Sequence, residues 1–280
     1  MIKTKALEIY EKFDDEQKEF IRSKTIEKNY KPKKLMELFN SIARMDQLND
    51  EVREKLFGWM IGMGMLAAIS LISGLIFFPP LIFLSILSIL PLGILFFLNR
   101  KHTSIDLENN FRIFLVPFLS ILKEEMHPDS KIYVKLDCNP IEDESNIINS
   151  KTTDTSKYPY TKTNIYSKHW LDLSTELLDH SFLSLSITDV IIKKEKTKRN
   201  PRGKIKSKSK SKVVHKLNYQ FKFSKSAYDL KPNSGSFTRD DSYFIMSGKK
   251  KIASPGENLQ LDVNQVLGLI GSAYKQLIPK

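Results

Sequence analysis

The chain has one cysteine, Cys138, so no intramolecular disulfide can brace the fold, and a lone thiol suits a reducing compartment. Glycine is scarce, 11 in 280 residues, which excludes a collagen-like rod. An apolar share of 41% excludes a fully disordered chain. Catalytic signatures are missing as well. Asn200-Pro201-Arg202-Gly203-Lys204 lacks the second glycine and the Lys-Ser/Thr ending of a phosphate loop. The five histidines (His102, His127, His169, His180, His215) never pair at three- or four-residue spacing, so neither a metal site nor a cofactor is expected. His169 with Asp172, and His180 beside Asp179, could be drawn as acid–base pairs, but ordinary surface or turn positions account for both. Asp137 beside Cys138 does nothing to activate a thiol. The reading is of a protein that is not an enzyme.

Charge is missing where its absence says most. Phe57–Leu98 is 42 residues long, with no charged residue and no Asn, Gln or His; only Ser70, Ser73, Ser85 and Ser88 interrupt it. As one helix it would measure about 63 Å, twice the ~30 Å hydrocarbon core of a bilayer. Pro79-Pro80 splits it into Phe57–Phe78 and Leu81–Leu98 and disfavours helix just before the pair. The expectation is a transmembrane helical hairpin over 57–98, with spans 57–78 and 81–98. Arg44, Arg53 and Lys55 precede it and Arg100, Lys101 and Arg112 follow it, while the link carries no charge. The positive-inside rule then puts both termini in the cytoplasm, with the inner or plasma membrane as the expected location. So apolar a link also suits a hairpin that dips into one leaflet without emerging. Small residues recur four apart in the first span: Gly58 and Gly62, Gly64 and Ala68, Ser70 and Gly74. That spacing allows close helix approach, within the hairpin or between copies of a homo-oligomer.

Either side of the block the pattern changes. Residues 1–56 carry Leu7, Tyr10 and Phe13, then Leu35, Leu38, Phe39 and Ile42, at helical spacing around a break at Pro32. They read as a cytoplasmic helical arm. Residues 99–280 read as a cytoplasmic α+β domain on an antiparallel sheet. Its expected parts are a helix over 107–126 bent at Pro117, a strand over 131–136 and a long polar loop over 141–168. Strands near 169–177, 181–196, 213–223 and 243–246 follow, and a closing helix over 263–277 capped by Asp262.

The net charge of +12 is local. Lys193–Lys216 holds twelve basic residues against one acid, Glu195, for a net of +11. Lys204, Lys206, Lys208, Lys210 and Lys212 alternate with Ile205, Ser207, Ser209 and Ser211. On a strand these ammonium groups would line one face at ~6.6–7 Å intervals. With a turn at Asn200-Pro201-Arg202-Gly203, the expectation is a basic β-hairpin over 181–223. Its candidate anion-binding residues are Lys193, Lys194, Lys196, Lys198, Arg199 and Arg202 together with the five ladder lysines. Anionic lipid headgroups are the anions a membrane-tethered segment meets first, each nearby Lys or Arg contributing roughly 1 kcal/mol. Nucleic acid and an acidic protein partner are the competing anions, and no aromatic stacking platform interrupts the ladder to favour single strands. The expected function is a membrane scaffold or recruitment module. The alternatives are an oligomeric, membrane-disrupting or pore-forming effector gated through its soluble domain, and a membrane-tethered nucleic-acid binder.

Overall fold

The computed structural model describes residues 4–153, 160–232, 237–253 and 260–280. The chain is α+β and divides into two compact units: Met1–Ser23 with Asn40–Leu107, and Lys24–Phe39 with Glu108–Lys280.

The first unit is helical. Helix α1 (Lys5–Glu11) is capped by Thr4, whose hydroxyl accepts from the Leu7 amide. Helix α2 (Asp15–Ser23) opens on a capping box: Asp14 Oδ1 accepts from the Gln17 amide (2.8 Å) and Gln17 Oε1 from the Asp14 amide (3.0 Å). Strand β1 (Thr25–Tyr30) follows and belongs to the second unit, so the segment 1–56 is not the all-helical arm its periodicity suggests. Helix α3 (Pro32–Ile76) then runs 45 residues without a break, and α4 (Leu81–Ser104) returns after Pro79-Pro80 and continues through Pro91. Both helices are long and apolar enough to cross a membrane, with mean hydropathy of 1.9 and 2.3 over their most apolar stretches.

Between Phe57 and Phe97, the buried positions among the described residues are all small: Ser70, Gly74, Ser85 and Ser88. Ser70 donates to Leu66 O and Ser88 to Ser85 O, so neither leaves an unsatisfied hydroxyl. Beyond the apolar block the contacts turn polar. Asp46 on α3 accepts from the Leu107 amide (3.1 Å), Arg53 pairs with Asp106, and Asn49 brackets His102 by donating to its carbonyl (3.1 Å) and meeting its Nδ1 (2.7 Å). Burial, then the charges of Lys101 and Arg53, hold the His102 imidazole below its usual range. It is therefore neutral: Nδ1–H donates to Asn49 Oδ1, and Nε2 accepts from the Thr4 hydroxyl (3.2 Å).

The second unit is built on the sheet. A π-helical turn (Phe111–Leu115) passes into α5 (Val116–Glu124), with Pro117 in its first turn, where a missing amide costs nothing. The remaining elements are β2 (Ile132–Asp137), a 3₁₀ turn (Glu144–Asn146), β3 (Ile147–Thr153), β4 (Tyr160–Glu176), β5 (Phe182–Arg199), β6 (Ile205–Ser224), β7 (Tyr228–Leu230), β8 (Thr238–Arg239), β9 (Tyr243–Ala253), α6 (Val263–Tyr274) and β10 (Leu277–Pro279). Eight strands form an antiparallel sheet in the order β1-β2-β4-β5-β6-β9-β8, with β3 on the free stretch of β4; β7 and β10 pair separately.

The expected loop over 141–168 is instead largely strand. β3 pairs with β4, and only 154–159 of that stretch lie outside the described residues. Odd-numbered positions of β5 and β6 (Leu183, Leu185, Ile187, Leu217, Phe221, Phe223) face the core, joined by Val134, Leu136, Leu171 and Leu173. Phe114 packs edge-on against Trp170 and Phe223 against Tyr274, so the core includes the π-turn and α6. Trp170 is buried beside Leu171 because a bulge in β4 turns both inward, against the simple alternation. A Cβ at Gly248 would meet Tyr219 Oη of the paired strand at 2.5 Å, so any side chain there displaces the Tyr219 ring.

One carboxylate ties the far ends of this unit together. Asp179, in the β4–β5 turn, accepts from Tyr228 Oη (2.6 Å), Tyr274 Oη (2.8 Å) and the amide and hydroxyl of Ser181. Burial alone would raise its pKa, but the Ser181, Tyr228 and Tyr274 hydrogen bonds outweigh that and hold it below the usual carboxylate range; both phenols are pushed up. A depressed carboxyl stabilises the fold above its unfolded pKa and loses that contribution as pH falls through the folded value. Tyr274→Phe is expected to cost about 1 kcal/mol at neutral pH. In thermal melts followed from pH 7 to pH 3, the gap between wild type and Asp179→Asn should close on acidification. A gap independent of pH would show that Asp179 is not the ionised anchor.

Candidate anion-binding surface

Strands β5 and β6 are paired without slippage from Phe182↔Lys222 to Arg199↔Ile205. The turn at the far end closes with the Gly203 amide on Asn200 O (2.8 Å) and the Asn200 amide on Lys204 O (2.8 Å). Gly203 supplies the positive φ of +80° that this turn needs. The lysine-rich segment is thus an ordered ribbon of β5 and β6, flanked on the β5 side by β4 as far as Tyr160↔Thr197, and its register decides which cations share a side.

Directly paired residues of an antiparallel ladder point the same way. Lys194 faces Lys210, Lys196 faces Lys208 and Lys198 faces Lys206, with Lys212 beside Ile192. Seven exposed ammonium groups therefore occupy one side, and none of the β5 or β6 positions among them is acidic. Glu195 points the other way, paired with Ser209 and with Lys162 of β4. Like charges directly opposite each other destabilise a ladder by roughly 0.2–1 kcal/mol a pair, so the ribbon forms against its own electrostatics.

The other candidates fall elsewhere. Lys193 leaves the group: it lies on the opposite side and binds Glu142 (2.6 Å), a hydrogen bond that raises its pKa and keeps its charge spoken for. Arg199 shares that opposite side, Arg202 is exposed in the turn, and Lys204 precedes the first residue of β6. Sequence reasoning missed two neighbours. Lys251 pairs with Lys216 and Lys249 with Asn218, so β9 extends the same cationic side. The run Lys249-Lys250-Lys251 is the signal that could have found them.

The small residues of α3 also divide. Ser70 and Gly74 are buried, while Gly58, Gly62 and Ala68 are exposed and Gly64 is partly exposed. A Cβ added at Gly58, Gly62 or Gly64 would meet nothing within 4 Å.

Two further clusters of titratable groups are satisfied internally. Asp189, buried in the sheet, binds His215 Nδ1 (2.7 Å) and Asn110 Nδ2 (3.1 Å), beside a closed space of about 30 Å³ that Trp170 and Lys168 also line. That is room for one water, and the Trp170 Nε1 donor has no protein partner there. The His169–Asp172 pair (2.8 Å) lies on the open side of the sheet, engaged with Thr188 and Ser186. Among the described residues no group of three His, Cys, Asp or Glu could hold a metal ion. Comparison with family models, curated proteins and solved structures finds no match.

The register makes a prediction about stability. Lys208→Glu puts a carboxylate opposite Lys196 and should stabilise the protein by about 0.5–1 kcal/mol in low salt, read as a higher denaturation midpoint. Added salt should raise the wild-type midpoint and shrink the difference. A destabilised variant would contradict the like-charge pairing.

Proposed function

We propose that this is a non-enzymatic integral membrane protein in which α3 and α4 cross the bilayer as a hairpin, both termini lie in the cytoplasm, and the lysine ribbon docks on anionic headgroups. Its role is that of a membrane scaffold or recruitment module. The observation that carries the reading is the seven-lysine side of the β5–β6 ribbon, with three direct Lys–Lys pairs and no intervening acid. An ordered strand ladder that repels itself is favoured when an outside anion neutralises it.

The hairpin supports the location. Trp59, Phe77, Phe83 and Phe97 are each more than 60% exposed on α3, α4 and their link, and an apolar surface of this extent needs a cover that water cannot provide. Basic residues flank the apolar stretches of both helices on the link-distal side, which orients them by the positive-inside rule. Roughly 1 kcal/mol per lysine near an anionic surface makes docking strong even if only some of the seven touch at once.

The test uses the full-length protein in nanodiscs. Cys138 is buried, so Thr161→Cys, partly exposed on the lysine side where Thr161 pairs with Lys196, offers a single accessible site for an environment-sensitive dye. Emission should shift to the blue in phosphatidylglycerol-containing discs relative to phosphatidylcholine discs. The shift should vanish in about 1 M salt, where the Debye length is ~3 Å, and when Lys204, Lys206, Lys208, Lys210 and Lys212 are all replaced by Ser. Identical spectra in the two lipids, or a shift that survives the five-lysine replacement, would overturn the headgroup reading. So would capture of a labelled single-stranded oligonucleotide in preference to the anionic surface.

A further inference from the structure

The side of the sheet that faces away from the core has a second feature, far from the ribbon turn. The cross-strand registers place Asn29, Tyr133, Ser174, Ser184, Gln220 and Ser247 in a single row across β1, β2, β4, β5, β6 and β9. At 4.7–4.9 Å per strand the row is roughly 24 Å long. No member is charged. Tyr133 gives its hydroxyl to Glu27 (2.8 Å), but the side chains of Asn29, Ser174, Ser184, Gln220 and Ser247 hydrogen-bond to no other described residue. The neighbouring row differs: there Glu27 pairs with Lys135 (2.8 Å), and Asp172 takes up His169 and Ser186. The polar groups of one row satisfy each other, while those of the other are left outward-facing and uncommitted.

The row from Asn29 to Gln220 forms the floor of a groove of about 600 Å³, within the roughly 300–1,000 Å³ range of small-ligand sites. At one end Phe182 and Tyr243 meet edge to face, their ring centroids 6.0 Å apart. Lys131 and Lys222 also line the groove, and its one acid, Glu176, is held by His180 (2.9 Å).

We infer that this groove binds a nucleotide. The amide of Gln220, two residues from the Lys222 that pairs with Phe182, presents a donor and an acceptor, which is what the edge of a base requires. Ser174 and Ser184 suit ribose hydroxyls. Phe182 with Tyr243 offers a ring surface for the base to stack on, and Lys131 and Lys222 supply the charge that phosphate needs. A neutral sugar would leave both ammonium groups without a partner. The site goes beyond lipid docking: it adds a small-molecule input to the sheet that carries the lysine ribbon.

The test is calorimetric titration of the full-length protein, in nanodiscs of neutral lipid, with ATP, GTP and AMP, and with sodium pyrophosphate as the base-free control. At least one nucleotide should bind with Kd on the order of 10 µM, and pyrophosphate should bind far more weakly. Gln220→Ala and Lys222→Ala should each weaken that binding about tenfold. The replacement of Lys204, Lys206, Lys208, Lys210 and Lys212 by Ser, which should abolish headgroup docking, should leave it unchanged. No binding by any of the three nucleotides would overturn the inference. So would pyrophosphate matching the nucleotide, full affinity in both groove variants, or loss of binding with the ribbon lysines; the last would place the phosphate on the ribbon.

Discussion

Forty-two consecutive residues without a charge must be kept from water, and the placement of polar groups in the helical unit follows from that constraint. Leaving one Leu or Phe exposed forfeits about 1.5–3 kcal/mol, so a hairpin with this many outward-facing apolar side chains calls for a cover, which the proposed bilayer would supply. Inside a bilayer, polar groups must be satisfied within the helix, and two of the four serines that interrupt the block do this: Ser70 and Ser88 return their hydroxyls to carbonyls of their own helices. Polar contacts between segments begin only beyond the block. There His102, Asn49, Asp46 and Arg53 form hydrogen bonds and an ion pair that would be out of place within the hydrocarbon.

The second unit meets the opposite problem. Its ribbon carries a surplus of one charge on one side, and the continuous β5–β6 ladder holds it in register although the side chains repel. The apolar base of the same strands, from Leu183 to Ile187 and from Leu217 to Phe223, anchors that ladder in the core. A disordered lysine tract would spread its charge over many geometries, whereas a strand pair fixes it as a plane suited to a flat anionic surface. The open side of the sheet therefore carries a cationic plane toward the turn and a neutral, uncommitted row toward the core end.

Much of this was legible from the sequence because it is written in short periods. The helical hairpin follows from one uninterrupted apolar block and a proline pair. The ribbon follows from alternation on both sides of a Pro-Arg-Gly turn, and the closing helix from the Asp262 cap, which the structure bears out with Asp262 Oδ1 accepting from the Asn264 amide. β1 was hidden because Thr25-Ile26-Glu27-Lys28-Asn29-Tyr30 is an edge strand with one open side and reads as polar. Its charge is matched by Lys135, more than a hundred residues on. β3 was hidden for the same reason, its Ser, Thr and Lys residues imitating a loop. Lys193 read as one of the anion-binding candidates, but Glu142, remote in sequence, takes its charge. The row from Asn29 to Ser247 draws one residue from each of six strands, and no linear pattern could have announced it.

The account rests on two crossings with the ribbon at the cytoplasmic face. Sided labelling tests this most directly: single cysteines at Lys12, Phe78 and Ser209, exposed to a membrane-impermeant maleimide in intact cells and again after permeabilisation. The account predicts that Phe78→Cys reacts from outside, while Lys12→Cys and Ser209→Cys react only once the membrane is opened. Labelling of Lys12→Cys or Ser209→Cys in intact cells, or a full-length protein that stays soluble without detergent, would contradict it.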